Sequence, residues 1–132
     1  MHGPRALIVD EEPLSTDLLV EILGGLGITA DVAKDGIEAV ALASCRPYAL
    51  VLAEASVHGL CGNELVRALC RFGYNRRTKF VLIAGTSPAD LCECFESAHA
   101  VISKPFNTLA LERTLRLLVE DPELPGLAWA CA

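Results

Sequence analysis

The sequence predicts a doubly wound α/β fold, in which helices cover both faces of a parallel β-sheet. Short aliphatic runs, such as 49–54 and 80–84, show no alternation of polar and apolar residues. Such runs are typical of strands that are buried on both faces. Between them lie segments whose apolar residues recur at helical spacing. Because strand and helix signals alternate along the chain, the pattern favours β-α-β units with right-handed crossovers.

The composition of the chain limits its functional class. Its 132 residues suit a single domain with its own hydrophobic core. The formal net charge of −6 argues against nucleic-acid binding, because clustered lysine and arginine supply most of that affinity. Neither an apolar leader nor a run long enough to span a membrane is found, so we expect a cytoplasmic protein without membrane contact. The six cysteines are expected to be free and to act as small apolar side chains.

The first predicted unit is a strand, an acidic turn and an amphipathic helix. The strand is 5–10, and the turn contains Asp10, Glu11 and Glu12. The helix begins after Pro13 and ends at glycines 24, 25 and 27. Its apolar residues at helical spacing are Leu14, Leu18, Leu19, Ile22, Leu23 and Leu26.

A predicted edge strand over 28–33 is followed by a second helix and then by the central strand. Asp35 and Glu38 stand at capping-box spacing, which marks the start of this helix. Its residues predicted to face inward are Ile37, Val40 and Ala41. The central strand, 49–54, ends on Glu54, so this carboxylate is expected at the carboxyl edge of the sheet.

The second half of the chain supplies two more strands and three helices. A third helix is indicated by Leu65, Val66, Leu69 and Cys70, and the fourth strand is 80–84. Ser87 and Pro88 begin a helix that carries Leu91 and Phe95 on one side. The fifth strand, 100–102, leads through Lys104 to a last helix that starts at Asn107 and turns inward Leu111, Leu115, Leu118 and Val119. We expect one domain over 1–121 and a short tail over 122–132, with no output domain.

Five strands joined in this way favour the flavodoxin-like strand order 2-1-3-4-5, with three layers. Strands 1 and 3 then lie side by side, so Asp10, Glu11 and Glu54 converge on one crevice, which Lys104 reaches from strand 5. Clustered carboxylates repel one another and need a cation, for which Mg²⁺ is suited because it takes oxygen ligands. A metal and a lysine in an acidic crevice are typical of phosphoryl transfer to a carboxylate.

Four motifs carry a resemblance to a known family. They are the acidic turn 7–13, the Asp35-Gly36 pair, the segment 50–62 and the run Lys104-Pro105-Phe106. Over residues 5–120 the chain resembles a response-regulator receiver domain of two-component signalling. The resemblance implies a Mg²⁺ site at Asp10, Glu11 and Glu54, a phosphoacceptor position at Glu54, and a cis peptide bond between Lys104 and Pro105.

The chain departs from the family pattern at the residues that operate its switch. Glu54 stands where the family has the phosphoacceptor aspartate, and Glu11 stands where it usually has a second aspartate. Ala84 replaces the hydroxyl residue that binds the phosphoryl group, and Val101 replaces the switching aromatic residue. The resemblance therefore implies an atypical member that lacks the phosphoacceptor aspartate.

Two functions follow from these departures. The first is a single-domain signalling protein, not an enzyme, that acts through protein contacts without phosphorylation; Glu54 is then either a mimic of the phosphorylated state or a simple ion-pair partner of Lys104. The second is a receiver that still accepts a phosphoryl group from a histidine kinase or a phosphotransfer protein. In the family, partner and dimer contacts usually use the face of the fourth helix, fifth strand and fifth helix, here marked by Leu91, Phe95, Val101 and Phe106.

Overall fold

The structure is a computed structural model that describes residues 3–54, 62–69, 71, 78–84 and 100–120. Its strands are β1 Arg5–Val9, β2 Thr29–Ala33, β3 Leu50–Glu54, β4 Lys79–Ala84 and β5 Ala100–Ser103. Its helices are α1 Pro13–Gly25, α2 Gly36–Ala43, α3 Gly62–Leu69 and α4 Thr108–Glu120. Helix α4 is the last predicted helix. The helix predicted from Ser87, with Leu91 and Phe95, and the tail 122–132 lie outside the described residues.

All five strands form one parallel sheet in the order β2-β1-β3-β4-β5, which confirms the predicted topology. The register aligns the strand ends at one edge: Val9 of β1 lies opposite Ala53 of β3, and Ala84 of β4 lies opposite Ser103 of β5. Residues that directly follow β1 and β5 are therefore brought to the end of β3.

The core has two layers, one on each face of the sheet. One layer joins alternate strand residues to α2 and α3, and its largest fully buried side chain is Phe80. The other joins the intervening residues to α1 and α4, and it includes Leu52 and Leu115. Because successive strand side chains point to opposite faces, the continuous apolar runs of β1, β3 and β4 fill both layers. The predicted three-layer, doubly wound arrangement is thus confirmed.

Two predicted helix starts are confirmed by hydrogen bonds. The Asp35 side chain accepts a hydrogen bond from the Glu38 backbone N–H at 2.8 Å, which caps α2. The Asn107 side chain accepts one from the Ala110 N–H at 3.1 Å, at the start of α4. Each contact joins residues three positions apart. It satisfies a backbone donor that the first helical turn leaves without an internal partner.

Three residues that belong to the predicted apolar patterns of α1 and α2 are exposed. Leu14 in α1 is 81% exposed, and in α2 Ile37 is 68% exposed and Ala41 is also exposed. Helix α2 packs through the small residues Ala39 and Ala43. Since residues two positions apart lie on nearly opposite sides of a helix, this packing turns Ile37 and Ala41 toward solvent. Cys45 is free, as predicted, but it is exposed and does not fill the core as a small apolar side chain.

Candidate functional site

The candidate site is a crevice at the carboxyl edge of the sheet, built from the ends of three strands. Asp10 directly follows β1, Glu54 ends β3, and Lys104 directly follows β5. The Asp10 N–H donates to the Ala33 carbonyl at 3.0 Å, and the Lys104 N–H donates to the Ala84 carbonyl at 3.0 Å. These backbone hydrogen bonds extend the hydrogen-bonded ladder of the sheet by one residue, and they fix the backbone positions of Asp10 and Lys104.

The Lys104 ammonium is the centre of the crevice. Its Nζ atom lies 3.2 Å from Asp10 Oδ2, 2.9 Å from Glu12 Oε2 and 3.2 Å from Glu54 Oε1. The Asp10 carboxylate is fully buried, whereas the side chains of Lys104 and Glu54 are mostly buried. Among the residues that the structure describes, one positive charge thus serves three carboxylates, and this part of the site carries more negative than positive charge.

The acidic turn is held by its own first residue. Asp10 Oδ1 accepts a hydrogen bond from the Glu12 backbone N–H at 3.0 Å, while Oδ2 faces Lys104. This side-chain bond to the second residue along the chain is an Asx turn, which mimics a backbone turn. It brings residue 12 back over the crevice, and the partly exposed Glu12 carboxylate reaches Lys104.

Burial and charge shift the ionisation of the two central groups. Burial alone would lower the pKa of Lys104, but hydrogen bonds to Glu12, Glu54 and Asp10 outweigh it and raise that pKa. Burial raises the pKa of Glu54, and the neighbouring Asp10 raises it further, against the opposing effect of Lys104. Lys104 therefore stays charged, and the Glu54 carboxyl is costly to ionise in the absence of a further cation.

Three carboxylates of the crevice lie close enough together that they could hold a metal ion. Asp10, Glu12 and Glu54 each offer an oxygen, and these oxygens lie within 4.8 Å of one another. An all-oxygen, anionic donor set fits Mg²⁺, which prefers hard oxygen ligands and keeps part of its water shell. The sequence prediction named Glu11 in this group. The structure groups Glu12, and not Glu11, with Asp10 and Glu54, because the Asx turn directs residue 12 over the crevice.

The other predicted site residues lie on β4, on β5 or directly after β5. The Lys104-Pro105 peptide bond is cis, as predicted. Ala84 is buried at the end of β4 and presents only a methyl group beside the site. Val101 is partly buried against the α2/α3 layer, whereas Phe106 is partly buried against the α1/α4 layer. The two residues expected to share a partner surface therefore pack against opposite layers of the core.

Fold and site together define a class: a doubly wound α/β domain with a lysine-paired acidic crevice at the carboxyl edge of its sheet. The chain belongs to the response regulator receiver domain family, whose model matches residues 6–116. The family predicted from the motifs is thereby confirmed. Among the helices of the described ranges, none is long and apolar enough to cross a membrane.

Curated relatives are similar over most of the chain. The sensor histidine kinase RcsC of Escherichia coli strain K12 is 28% identical over 119 residues, which are 86% of this chain and 12% of the kinase. The transcriptional regulatory protein TcrA of Mycobacterium tuberculosis strain H37Rv is 29% identical over 125 residues, which are 95% of this chain and 49% of that protein. The chain thus spans about an eighth of the first relative and about half of the second.

Solved receiver domains share the fold. A receiver domain from a sensor histidine kinase of Pseudomonas aeruginosa PAO1, which holds a magnesium ion in its active-site cleft, superimposes with a TM-score of 0.80. It is 23% identical and covers 90% of this chain and 99% of its own. The chemotaxis response regulator CheY4 of Vibrio cholerae gives a TM-score of 0.76 at 24% identity, covering 87% of this chain and 98% of its own.

Within the described part of the crevice, Glu12 is a site residue that the sequence placed in the acidic turn but not in the metal group. Three acids precede Pro13, and composition alone does not distinguish which of them returns to the site. The available signal was the tendency of aspartate to bond the backbone two residues on, which predicts that the side chain two positions after Asp10 is folded back.

Proposed function

We propose that this receiver domain signals through protein contacts in a state that does not require phosphorylation of residue 54. The observation that carries the proposal is the bonding of Lys104 to Asp10, Glu12 and Glu54 together. With a glutamate at the acceptor position, the carboxylate of residue 54 itself forms an ion pair with Lys104. The crevice is thus closed by the protein's own charges, in the manner of a fixed ion pair or a built-in mimic of an acyl phosphate.

Two further features support this proposal. Lys104 binds Glu54 Oε1, and this ion pair lowers the nucleophilicity of the Glu54 carboxylate toward a phosphorus atom. The buried methyl group of Ala84 offers no hydroxyl to bind a phosphoryl oxygen at the end of β4. Both features weaken phosphorylation without disturbing the fold. We propose no catalytic activity for this chain.

The second candidate is a receiver that still accepts a phosphoryl group, and the oxygen donors of Asp10, Glu12 and Glu54 favour it. Bound Mg²⁺ would neutralise charge on the transferred group. The chain's own part would be attack by a Glu54 oxygen on phosphorus, with departure of the donor's leaving group and formation of an acyl phosphate. Lys104 would then exchange its bond to Glu54 for one to a phosphoryl oxygen.

We propose that the contact surface includes the rim of the crevice. Leu14, Ile37 and Leu109 are each the second residue of a helix, and they are 81%, 68% and 75% exposed. Helices α1, α2 and α4 all begin at the edge of the sheet that holds the crevice, so these aliphatic side chains lie at the same edge as the crevice. A histidine kinase, a phosphotransfer protein, a downstream target or a second copy of the chain would meet them. We place these partners in the cytoplasm.

The deciding experiment is intact-mass spectrometry after incubation with Mg²⁺ and acetyl phosphate. Wild type is compared with Glu54→Asp, which restores the shorter acceptor, and with Glu54→Gln, which removes the nucleophile. We expect no mass gain for wild type and for Glu54→Gln, and the gain of one hydroxylamine-labile phosphoryl group for Glu54→Asp. A labile phosphoryl group on the wild type, absent from Glu54→Gln, would overturn the proposal in favour of the second candidate.

A further inference from the structure

A second concave site lies at the opposite, amino-terminal edge of the sheet. It is an open cavity of about 740 Å³ at the starts of β1, β3 and β4, beside the last turn of α4. Part of its wall is apolar, formed by Pro4, Pro47, Leu118 and Val119. This volume falls within the usual range of small-molecule sites, which combine an apolar wall with a few polar groups.

Lys79 is the unusual residue of this wall. It is only 9% exposed, yet no hydrogen bond or ion pair of its ammonium is found among the residues that the structure describes. It precedes Phe80, which packs in the α2/α3 layer, so the Lys79 side chain lies on the α4 side with Leu118. The side chain is nine-tenths buried, but its ammonium nitrogen is open to the cavity, since no buried side-chain nitrogen of the described residues lacks a partner. An anion in the cavity would give this ammonium a charge-assisted hydrogen bond.

Two arginines increase the positive charge of the cavity. Arg5 and Arg46 also line it, and each lies 3.4 Å from a carboxylate oxygen of Asp31. Asp31 in addition accepts a hydrogen bond from the Tyr48 hydroxyl at 2.7 Å. One carboxylate therefore serves both arginines, and Lys79 is left without an anionic partner within the described residues.

We infer that this cavity binds a small organic anion, with its carboxylate or phosphate group on Lys79 and its apolar body against Leu118 and Val119. The charge excess selects an anion, and the apolar wall selects one that carries a hydrocarbon or ring portion. The site lies across the sheet from Lys104, so this inference does not depend on what happens at Glu54.

The test uses amide NMR spectra of the full chain with three probes: octanoate, 1-octanol and sulfate. Octanoate combines both features, whereas octanol lacks the charge and sulfate lacks the apolar body. We expect saturable octanoate shifts at amides lining the cavity, such as those of Ala49, Lys79 and Val119, and weaker binding of the other two probes. Lys79→Met should weaken octanoate about tenfold or more, because a charge-assisted hydrogen bond is lost. The exposed Lys34→Met is the matched control and should leave the affinity unchanged.

Several outcomes would overturn the inference. They are equal octanoate affinity in wild type and Lys79→Met, shifts confined to the Lys104 crevice, or sulfate binding as tightly as octanoate. If Lys79→Met does not fold, Arg46→Gln takes its place, because Arg46 is exposed and its replacement preserves the core. An octanoate affinity unchanged by Arg46→Gln would then count against the site.

Discussion

Lys104 Nζ lies 3.2 Å from Glu54 Oε1, and this ion pair ties the end of β3 to the residue after β5. The two residues are 50 positions apart in sequence and come together only through the parallel sheet. The same ammonium also contacts Asp10 and Glu12, so its removal would leave a cluster of carboxylates without compensation. The stability, pH response and metal response of the protein should all depend on this one contact set.

Replacement of Lys104 by methionine should destabilise the fold. Methionine keeps most of the side-chain volume but leaves the buried Asp10 carboxylate beside Glu54 with no cation from the described residues. Breaking a buried pair in this way costs about 3 kcal/mol. Urea unfolding at pH 7 gives the free energy directly. Lys34→Met, at an exposed lysine, is the control and should change it by less than about 0.5 kcal/mol. Equal effects of the two replacements would show that the crevice network contributes nothing to stability.

Glu54 should make the protein less stable as pH rises from acidic to neutral. Its pKa is higher in the folded chain than the ordinary value of 4.5, so the folded state holds its proton more tightly than the unfolded state does. This contribution is fully present below that ordinary pKa and is lost as pH rises through the folded pKa. Glutamine at this position does not titrate.

The stability difference between Glu54→Gln and wild type should therefore shift in favour of the variant from pH 4 to pH 8, without Mg²⁺. Thermal unfolding of both proteins at each pH measures this difference. Titrating groups outside the crevice are shared and cancel in the comparison, so the difference reports on Glu54 together with Asp10 and Lys104, whose charges act on it. A difference that stays constant with pH, or that moves toward the wild type, would mean that Glu54 is not held above its ordinary pKa.

Mg²⁺ should stabilise the folded chain, and Glu12 should matter more to this effect than Glu11. A ligand that binds only the folded state raises the melting temperature in proportion to the logarithm of its concentration above the dissociation constant. Glu12→Gln removes one of the three grouped oxygen donors and should reduce the Mg²⁺-induced rise. Glu11→Gln removes the same charge from the neighbouring residue and should leave most of it. A larger loss for Glu11→Gln would place the metal on the residue that the family resemblance implies.

The sequence could predict the convergence of Asp10, Glu54 and Lys104 because it depends only on strand order. Parallel strands with short crossovers leave few topologies, and all of them bring the carboxyl ends of the strands to one edge of the sheet. The order β2-β1-β3-β4-β5 then places the end of β1 beside the end of β3. The Asp35 cap was predictable for a different reason, since its partner is three residues away.

Details that depend on rotation within an element were not predictable. Glu11 and Glu12 are chemically alike, and a single bond from the Glu12 N–H to Asp10 decides which one faces the crevice. Ile37 is exposed because α2 packs through Ala39 and Ala43, and small residues give a weak hydrophobic signal. The amino-terminal cavity with Lys79 could not be predicted from the sequence, because its wall combines the starts of three strands and the end of a helix, which are far apart along the chain.

Tyr48 should make the protein sensitive to alkaline pH. Burial raises the pKa of the Tyr48 hydroxyl, and its hydrogen bond to Asp31, 2.7 Å long, raises it further. A phenol whose pKa is raised in the folded state stabilises the fold fully below its ordinary pKa of about 10, and this stabilisation is lost as pH rises through the folded pKa.

Tyr48→Phe should lower the free energy of unfolding by about 1 kcal/mol at pH 7, because one hydrogen bond is lost while Asp31 keeps Arg5 and Arg46 as partners. Between pH 9 and pH 11 the variant should lose less stability than wild type, because phenylalanine does not titrate. Lys104, whose pKa is also raised, makes both proteins less stable in the same range, so only the difference between them reports on Tyr48. Urea unfolding of the pair at pH 7, 9 and 11 measures it. Parallel losses in both proteins would show that the Tyr48 proton is not held by Asp31.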